Sequence, residues 1–200
     1  MDEGIRAVVD GLERALAVSG LSQAEFAASL GTSASRFSAY RAGSTVPSAA
    51  FYLRALRLAA ALESARDSGW MTPVSTAREI RYALREGDDV WAWKMSLQGR
   101  DHLRELLRTD DAASDAWTAS PRSTGDRRWD ALLAALTRHE FTTAGRQAPA
   151  WTTHPARRLH RDDEWVLPSL LFDEPEVRAA TPNWLAEHGI YAAERDLVTA

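Results

Sequence analysis

Apolar positions in the first sixty residues recur at intervals of three and four, the spacing of one helix face. Ile5, Val8, Val9, Leu12 and Leu16 form such a stripe and predict a helix over 5–18, with Gly20 where a left-handed cap belongs. Ser22, with Glu25 three residues on, has the form of a capping box. It opens a short helix with Phe26, Ala27 and Leu30 inward, which Gly31 breaks. Thr32 or Ser33 caps a third helix running to Ala42, with Phe37 and Tyr40 as packing residues and Gly43 at its end. Pro47-Ser48 opens a fourth, which carries Phe51, Leu53, Leu56, Leu58 and Leu62.

A second helical layer follows, with no internal repeat. Thr76 with Glu79 predicts a second capping box and a helix to about Arg85. Gly87 with Asp88 or Asp89 predicts a break and restart, and a longer helix spans 90–107. Gly99 weakens it by roughly 1 kcal/mol relative to alanine. Residues 109–127 are polar without apolar periodicity and read as a linker or loop. Trp129, Leu132, Leu133, Leu136 and Phe141 mark one more helix. Beyond it, Pro149, Pro155, Pro168, Pro175 and Pro182 leave room only for short elements, with short strands at Trp165-Val166-Leu167 and Gly189-Ile190-Tyr191.

The expected fold class is therefore mainly α. A bundle of four to five helices occupies 1–68, and a helical extension or dimerisation layer follows over 69–108. A linker or loop covers 109–127, and a small, acidic, Trp-rich and mainly α interaction domain covers 128–200. All eight tryptophans lie after residue 69.

Composition narrows the function classes. The chain has 200 residues, 45% hydrophobic and 26% charged, as in an ordinary globular protein. No apolar run reaches the roughly 18 residues of a spanning helix. The acidic start (Asp2, Glu3) has no signal-peptide pattern, so a cytoplasmic protein is expected. Without cysteine there is no disulfide framework, thiolate metal site or cysteine nucleophile. Seven arginines against six acids give residues 1–66 a net charge of +1, and residues 67–108 balance. Ten arginines against fifteen acids give 109–200 a net of −5. A strongly basic nucleic-acid coat is excluded, but a local basic surface is not.

Two short helices joined by a tight glycine-containing turn, with a helix on each side, make a helix-turn-helix unit. The residues Gly20-Leu21-Ser22-Gln23-Ala24-Glu25-Phe26-Ala27, Leu30-Gly31-Thr32-Ser33, Arg36-Phe37-Ser38-Ala39-Tyr40-Arg41-Ala42-Gly43 and Pro47-Ser48 carry the signal. Over about residues 5–63 the chain resembles the phage-repressor or Cro type of helix-turn-helix, the xenobiotic-response-element family. The resemblance implies that the third helix enters the major groove of double-stranded DNA. Ala34, Ser35, Arg36 and Ala39 would then face base edges, with Arg36 suited to bidentate guanine readout. The same resemblance gives Gln23 a phosphate contact, and Thr32, Ser33, Ser38, Arg41, Ser44 and Thr45 complete the expected DNA-binding set. Arg41 departs from the family, which often carries an acid there; the change either adds a phosphate contact or alters a local salt bridge.

The segment from Trp129 to Leu197 is similar to tails on actinobacterial regulators of toxin-like two-gene operons. The expected function is a sequence-specific transcriptional regulator, a repressor and in one version an antitoxin, reading a palindromic operator as a homodimer. Its acidic 128–200 region would bind a partner protein such as a toxin. The alternative is an interaction adaptor whose helical domain does not read DNA. A small-molecule sensor would need an apolar pocket between the helical layer and the Trp-rich tail.

Other candidate chemistry is weaker. His139-Glu140 lacks a second histidine at zinc spacing, since residue 143 is threonine, so Glu140 is expected as a partly buried, hydrogen-bonded acid. Asp162-Asp163-Glu164 reads as a solvated loop before it reads as a cation site. No phosphate-cradling glycine loop and no nucleophile elbow appears. No enzyme activity, cofactor or metal is expected.

Overall fold

The computed structural model describes residues 2–160 and 163–198. The chain is mainly helical and falls into two compact units. The first comprises Met1–Val74 and Asp110–Pro121, the second Ser75–Thr109 and Arg122–Ala200. No helix among the described residues is long and apolar enough to cross a membrane.

In the first unit, α1 (Glu3–Ser19) packs along α4 (Ala49–Asp67), and α2 (Gln23–Ser29) and α3 (Ala34–Arg41) lie between them in sequence. Leu12 and Ala15 bury the α1 stripe. A Cβ at Gly11 would stand 2.8 Å from Cζ of Tyr52, so this glycine lets α1 and α4 approach closely. Ser22 and Glu25 form the capping box of α2, and Ser33 and Ser48 accept the Arg36 and Phe51 N–H groups to cap α3 and α4. Each satisfies a backbone donor that would otherwise lack a helical partner. Phe26 and Phe37 meet edge to face at 5.5 Å and both are fully buried. Burying such a side chain contributes about 1.5–3 kcal/mol.

Two expectations change here. Residues 109–127 are not merely a linker: Ala112–Thr118 is a 3-10 helix packed on α4. Trp117 is buried with its indole N–H donating to the Met71 carbonyl at 3.1 Å, and the Ser120 N–H donates to Ser29 Oγ at 3.0 Å. Ala113, Ala116 and Trp117 are its only buried apolar contacts before Ala119, too few to stand out among polar neighbours. The second change concerns α5 (Pro73–Arg85), which opens three residues before the predicted cap. A proline fits the first turn, where its missing N–H costs nothing. Thr76 is thus inside the helix, buried, with no partner for its hydroxyl.

In the second unit, Asp88 caps α6 (Asp89–Arg108), and Asp126 caps α7 (Arg127–Thr143). Gly99 has a packing role: its Cβ would lie 2.6 Å from Thr76 Oγ1, so only glycine lets α6 approach α5 there. Beyond α7 come two short 3-10 turns, Ala150–Thr153 and Pro155–Arg157. Then follow β1 (Trp165–Val166), α8 (Glu174–Ala179), α9 (Asn183–Ala186) and β2 (Ile190–Tyr191). The strands pair in parallel, Trp165 opposite Ile190. A last 3-10 turn spans Glu194–Leu197.

Candidate nucleic-acid interface

The surface of interest is built by what α3 turns away from. Phe37 and Tyr40 point into the core, Tyr40 meeting Phe51 at 5.0 Å. With those two positions fixed, helical geometry leaves Ser33, Ala34, Ser35, Arg36 and Ser38 exposed, and Ala39 half-buried. Thr32 is half-buried in the turn before α3, and Ser44 and Thr45 are exposed after it. Gly43, at φ +68°, takes the left-handed conformation that ends α3. The Ser44 hydroxyl then donates to the Ala39 carbonyl at 3.1 Å. Ser33 Oγ receives the Arg36 N–H and lies 3.1 Å from Ser35 Oγ.

The two arginines of α3 have different surroundings. Arg36 is exposed, and its Nε donates to the Tyr40 hydroxyl at 2.9 Å. That bond uses one of five guanidinium N–H groups, so the terminal nitrogens remain for an outside acceptor. Arg41 faces Glu13 of α1 through a two-point contact, Nε to Oε1 at 2.7 Å and Nη2 to Oε2 at 2.8 Å. Its remaining terminal nitrogen, Nη1, donates to Gln23 Oε1, while Gln23 Nε2 donates to the Ala34 carbonyl at 3.1 Å. Arg41 thus makes a local salt bridge, one of the two consequences expected for it. Gln23 is likewise engaged at both ends of its amide, stitching α2 to α3.

The sequence set is therefore brought together in one region, with Arg36 as its available cation and Gln23 and Arg41 as struts. Glu13 was missed. It lies on α1, twenty-eight residues from Arg41, and no periodicity links the two. The available signal was the arginine itself, standing where an acid was expected and needing a counter-charge nearby.

In the second unit, Glu140 and Glu164 are each held by an arginine. Glu140 is 4% exposed and takes both oxygens' worth of contact from Arg104, at 2.7 and 3.0 Å, with Arg100 Nε at 3.9 Å. His139 stacks on Trp184 with ring centres 3.9 Å apart, and burial lowers its pKa. Asp130, which sequence reasoning did not single out, is buried against Arg157 at 3.1 Å and accepts from Ser123 Oγ and the Thr124 N–H. Glu164 is held by Arg178 at 2.7 Å and by the Tyr191 hydroxyl at 3.0 Å, contacts that lower its pKa. Asp162 lies outside the described residues. Among the described residues, no three His, Asp or Glu side chains converge as a metal ion requires.

Comparison of the chain with models of protein families, with curated proteins and with solved structures returns no match.

Proposed function

We propose that the chain is a DNA-binding transcriptional regulator of the helix-turn-helix kind, acting as a homodimer. The observation that carries this reading is the outward face of α3. Five consecutive or near-consecutive positions (Ser33, Ala34, Ser35, Arg36, Ser38) are small or polar and exposed, on a helix fixed from behind by Phe37 and Tyr40. Small side chains let a helix sit deep in the major groove, and Arg36 supplies the bidentate donor that reads guanine. Ser44 and Thr45 supply hydroxyls at the edge of that face for phosphate oxygens.

With Arg41 neutralised by Glu13, the face carries little net charge. Binding by one copy is weak, and a two-fold dimer doubles the contacts. Such a dimer reads half-sites about 34 Å apart, one helical turn, in a roughly palindromic operator. The region 128–200 serves a partner protein, in the manner of an antitoxin. Leu170 and Leu171 support this role, being fully and 61% exposed beside Asp173, Glu174 and Glu176. Exposed apolar side chains with an acidic surround suit a basic protein surface.

Fluorescence anisotropy of the full chain against its own upstream DNA and a scrambled duplex, across a salt series, tests the reading. Tight binding to the first duplex alone, with a shallow salt slope, is the expected result. Equal weak binding to both would contradict autoregulation and favour the adaptor.

A further inference from the structure

The second unit holds an open cleft of about 560 Å³ that the DNA reading does not use. Arg81 and Arg85 of α5 line one side, Asp89 the start of α6, and Asp126 and Arg128 the start of α7. Leu84 and Trp129 supply an apolar wall. The volume falls within the range of about 300–1,000 Å³ that takes small molecules.

Two of the three guanidinium groups are held in place before any ligand arrives. Arg81 donates from Nε to the Ser123 carbonyl at 2.9 Å and from Nη2 to the same oxygen. Arg128 is gripped by Asp126, at 3.0 Å to one oxygen and 3.3 Å to the other, and lies 5.5 Å over the Trp165 ring. Arg85 is exposed and makes no ion pair among the described residues. It stands one helical turn from Arg81, so both project on the same side of α5. The loop N–H groups offer nothing further: Thr124 donates to Asp130, Gly125 to Ser123 Oγ, and Asp126 to Thr124 Oγ1. Recognition of an anion therefore falls to guanidinium groups, whose planar fork matches phosphate oxygens.

We propose that this cleft binds the phosphate of a small hydroxylated molecule, a phosphate monoester. Asp126 already balances Arg128, and Arg81 and Arg85 against Asp89 leave the cleft a net charge of +1, the sign that a phosphate requires. Asp89 makes no ion pair among the described residues and accepts a ligand hydroxyl at the rim. Leu84 and Trp129 face the organic part. Sugar phosphates and nucleoside monophosphates share this chemistry.

The test is a titration of the full-length protein, free of DNA, with inorganic phosphate, glucose 6-phosphate, adenosine monophosphate and glucose. Amide and arginine side-chain NMR shifts give the readout. The expected result is saturable binding of one ester, tighter than inorganic phosphate, with shifts centred on 81–89 and 124–129 and none with glucose. Arg85→Ala weakens it by about 10- to 100-fold, the loss of a charge-assisted contact, with an unchanged circular dichroism spectrum. Arg85→Lys retains the charge but loses the fork, and falls between. No saturable binding of either ester overturns the proposal. So does equal affinity for inorganic phosphate and both esters, or binding that Arg85→Ala leaves intact. Because no DNA is present, none of these outcomes bears on α3.

Discussion

In the first unit, the buried polar side chains among the described residues are neutral hydroxyls: Ser19, Thr72 and Ser114. The second unit buries Arg100, Asp130 and Glu140. Charge taken out of water must be paired, so the second unit uses its arginines and acids to hold itself together. The first unit keeps charge at its surface, where Arg36 remains available to a partner. Its Glu13–Arg41 ion pair is only half-buried, with Glu13 at 45% and Arg41 at 27% exposure. The same Arg–carboxylate chemistry is thus fully buried in one unit and a half-buried strut between helices in the other.

The largest effect expected from this contrast is at Asp130. Asp130→Ala takes a carboxylate away from the Arg157 guanidinium, 9% exposed and 3.1 Å away, and removes the acceptor for Ser123 and Thr124. The second unit should lose about 3–5 kcal/mol, read by urea unfolding with residue-resolved hydrogen exchange. Asp130→Asn, which keeps an acceptor oxygen, loses less. A cost under about 1 kcal/mol would put this pair with surface pairs and erase the contrast.

The close-approach glycines come next. At Gly99 an added methyl meets Thr76 Oγ1 and Cγ2 at 2.6 and 2.9 Å, inside a buried contact between helices. Gly99→Ala should cost about 1–3 kcal/mol despite its better helix propensity, and Thr76→Ala in the same chain should recover most of it. At Gly11 the obstacle is the ring end of half-buried Tyr52, a side chain rather than backbone. Gly11→Ala is therefore expected to be near neutral in the same unfolding assay, its propensity gain of about 1 kcal/mol offsetting the displacement.

Much of this was legible along the chain. The Ser22 cap sits where the pattern put it, Ser33 rather than Thr32 caps α3, and Ser48 caps the helix that Pro47-Ser48 opens, because capping depends on residues within one turn. The short strands at 165–166 and 190–191 follow from apolar runs, the first ending just before Pro168 and the second following Gly189. What was not legible depends on distant partners. Trp117 lies in a polar stretch, and only its packing on α4 makes that stretch structured. Glu13 and Arg41 are joined by tertiary geometry that leaves no trace in spacing. The face of α3 was readable because its inward residues are aromatic; the tethering of Gln23 and Arg41 within it was not.

Glu13 offers a smaller, sharper test. Glu13→Gln should cost only about 0.2–1 kcal/mol of first-unit stability in thermal unfolding, less at high salt. It also frees the Arg41 charge. On the DNA reading, the salt dependence of binding should steepen by about 0.9 per added phosphate contact.

The smallest effect is on pH. All five histidines lie in the second unit. Burial lowers the pKa of His102, His139 and His188, so the folded state favours their neutral form. The unfolded chain takes up protons below about pH 6.5, which drains stability as pH falls through that value. The second unit should be at full stability above about pH 6.5 and weaken toward pH 5, while hydrogen exchange in the first unit shows no histidine-linked change. Equal acid sensitivity in both units would contradict the assignment to these histidines.

The central claim rests on Arg36, and the most direct measurement is DNA binding by Arg36→Ala compared with the unaltered chain on the same upstream duplex. The side chain is exposed, so unfolding should shift by no more than about 0.5 kcal/mol. Loss of a bidentate base contact should weaken specific binding by about 1–3 kcal/mol, roughly 5- to 150-fold, and relax discrimination at one base pair. Unchanged affinity and unchanged sequence preference in a folded Arg36→Ala variant would contradict the claim that this face of α3 reads DNA.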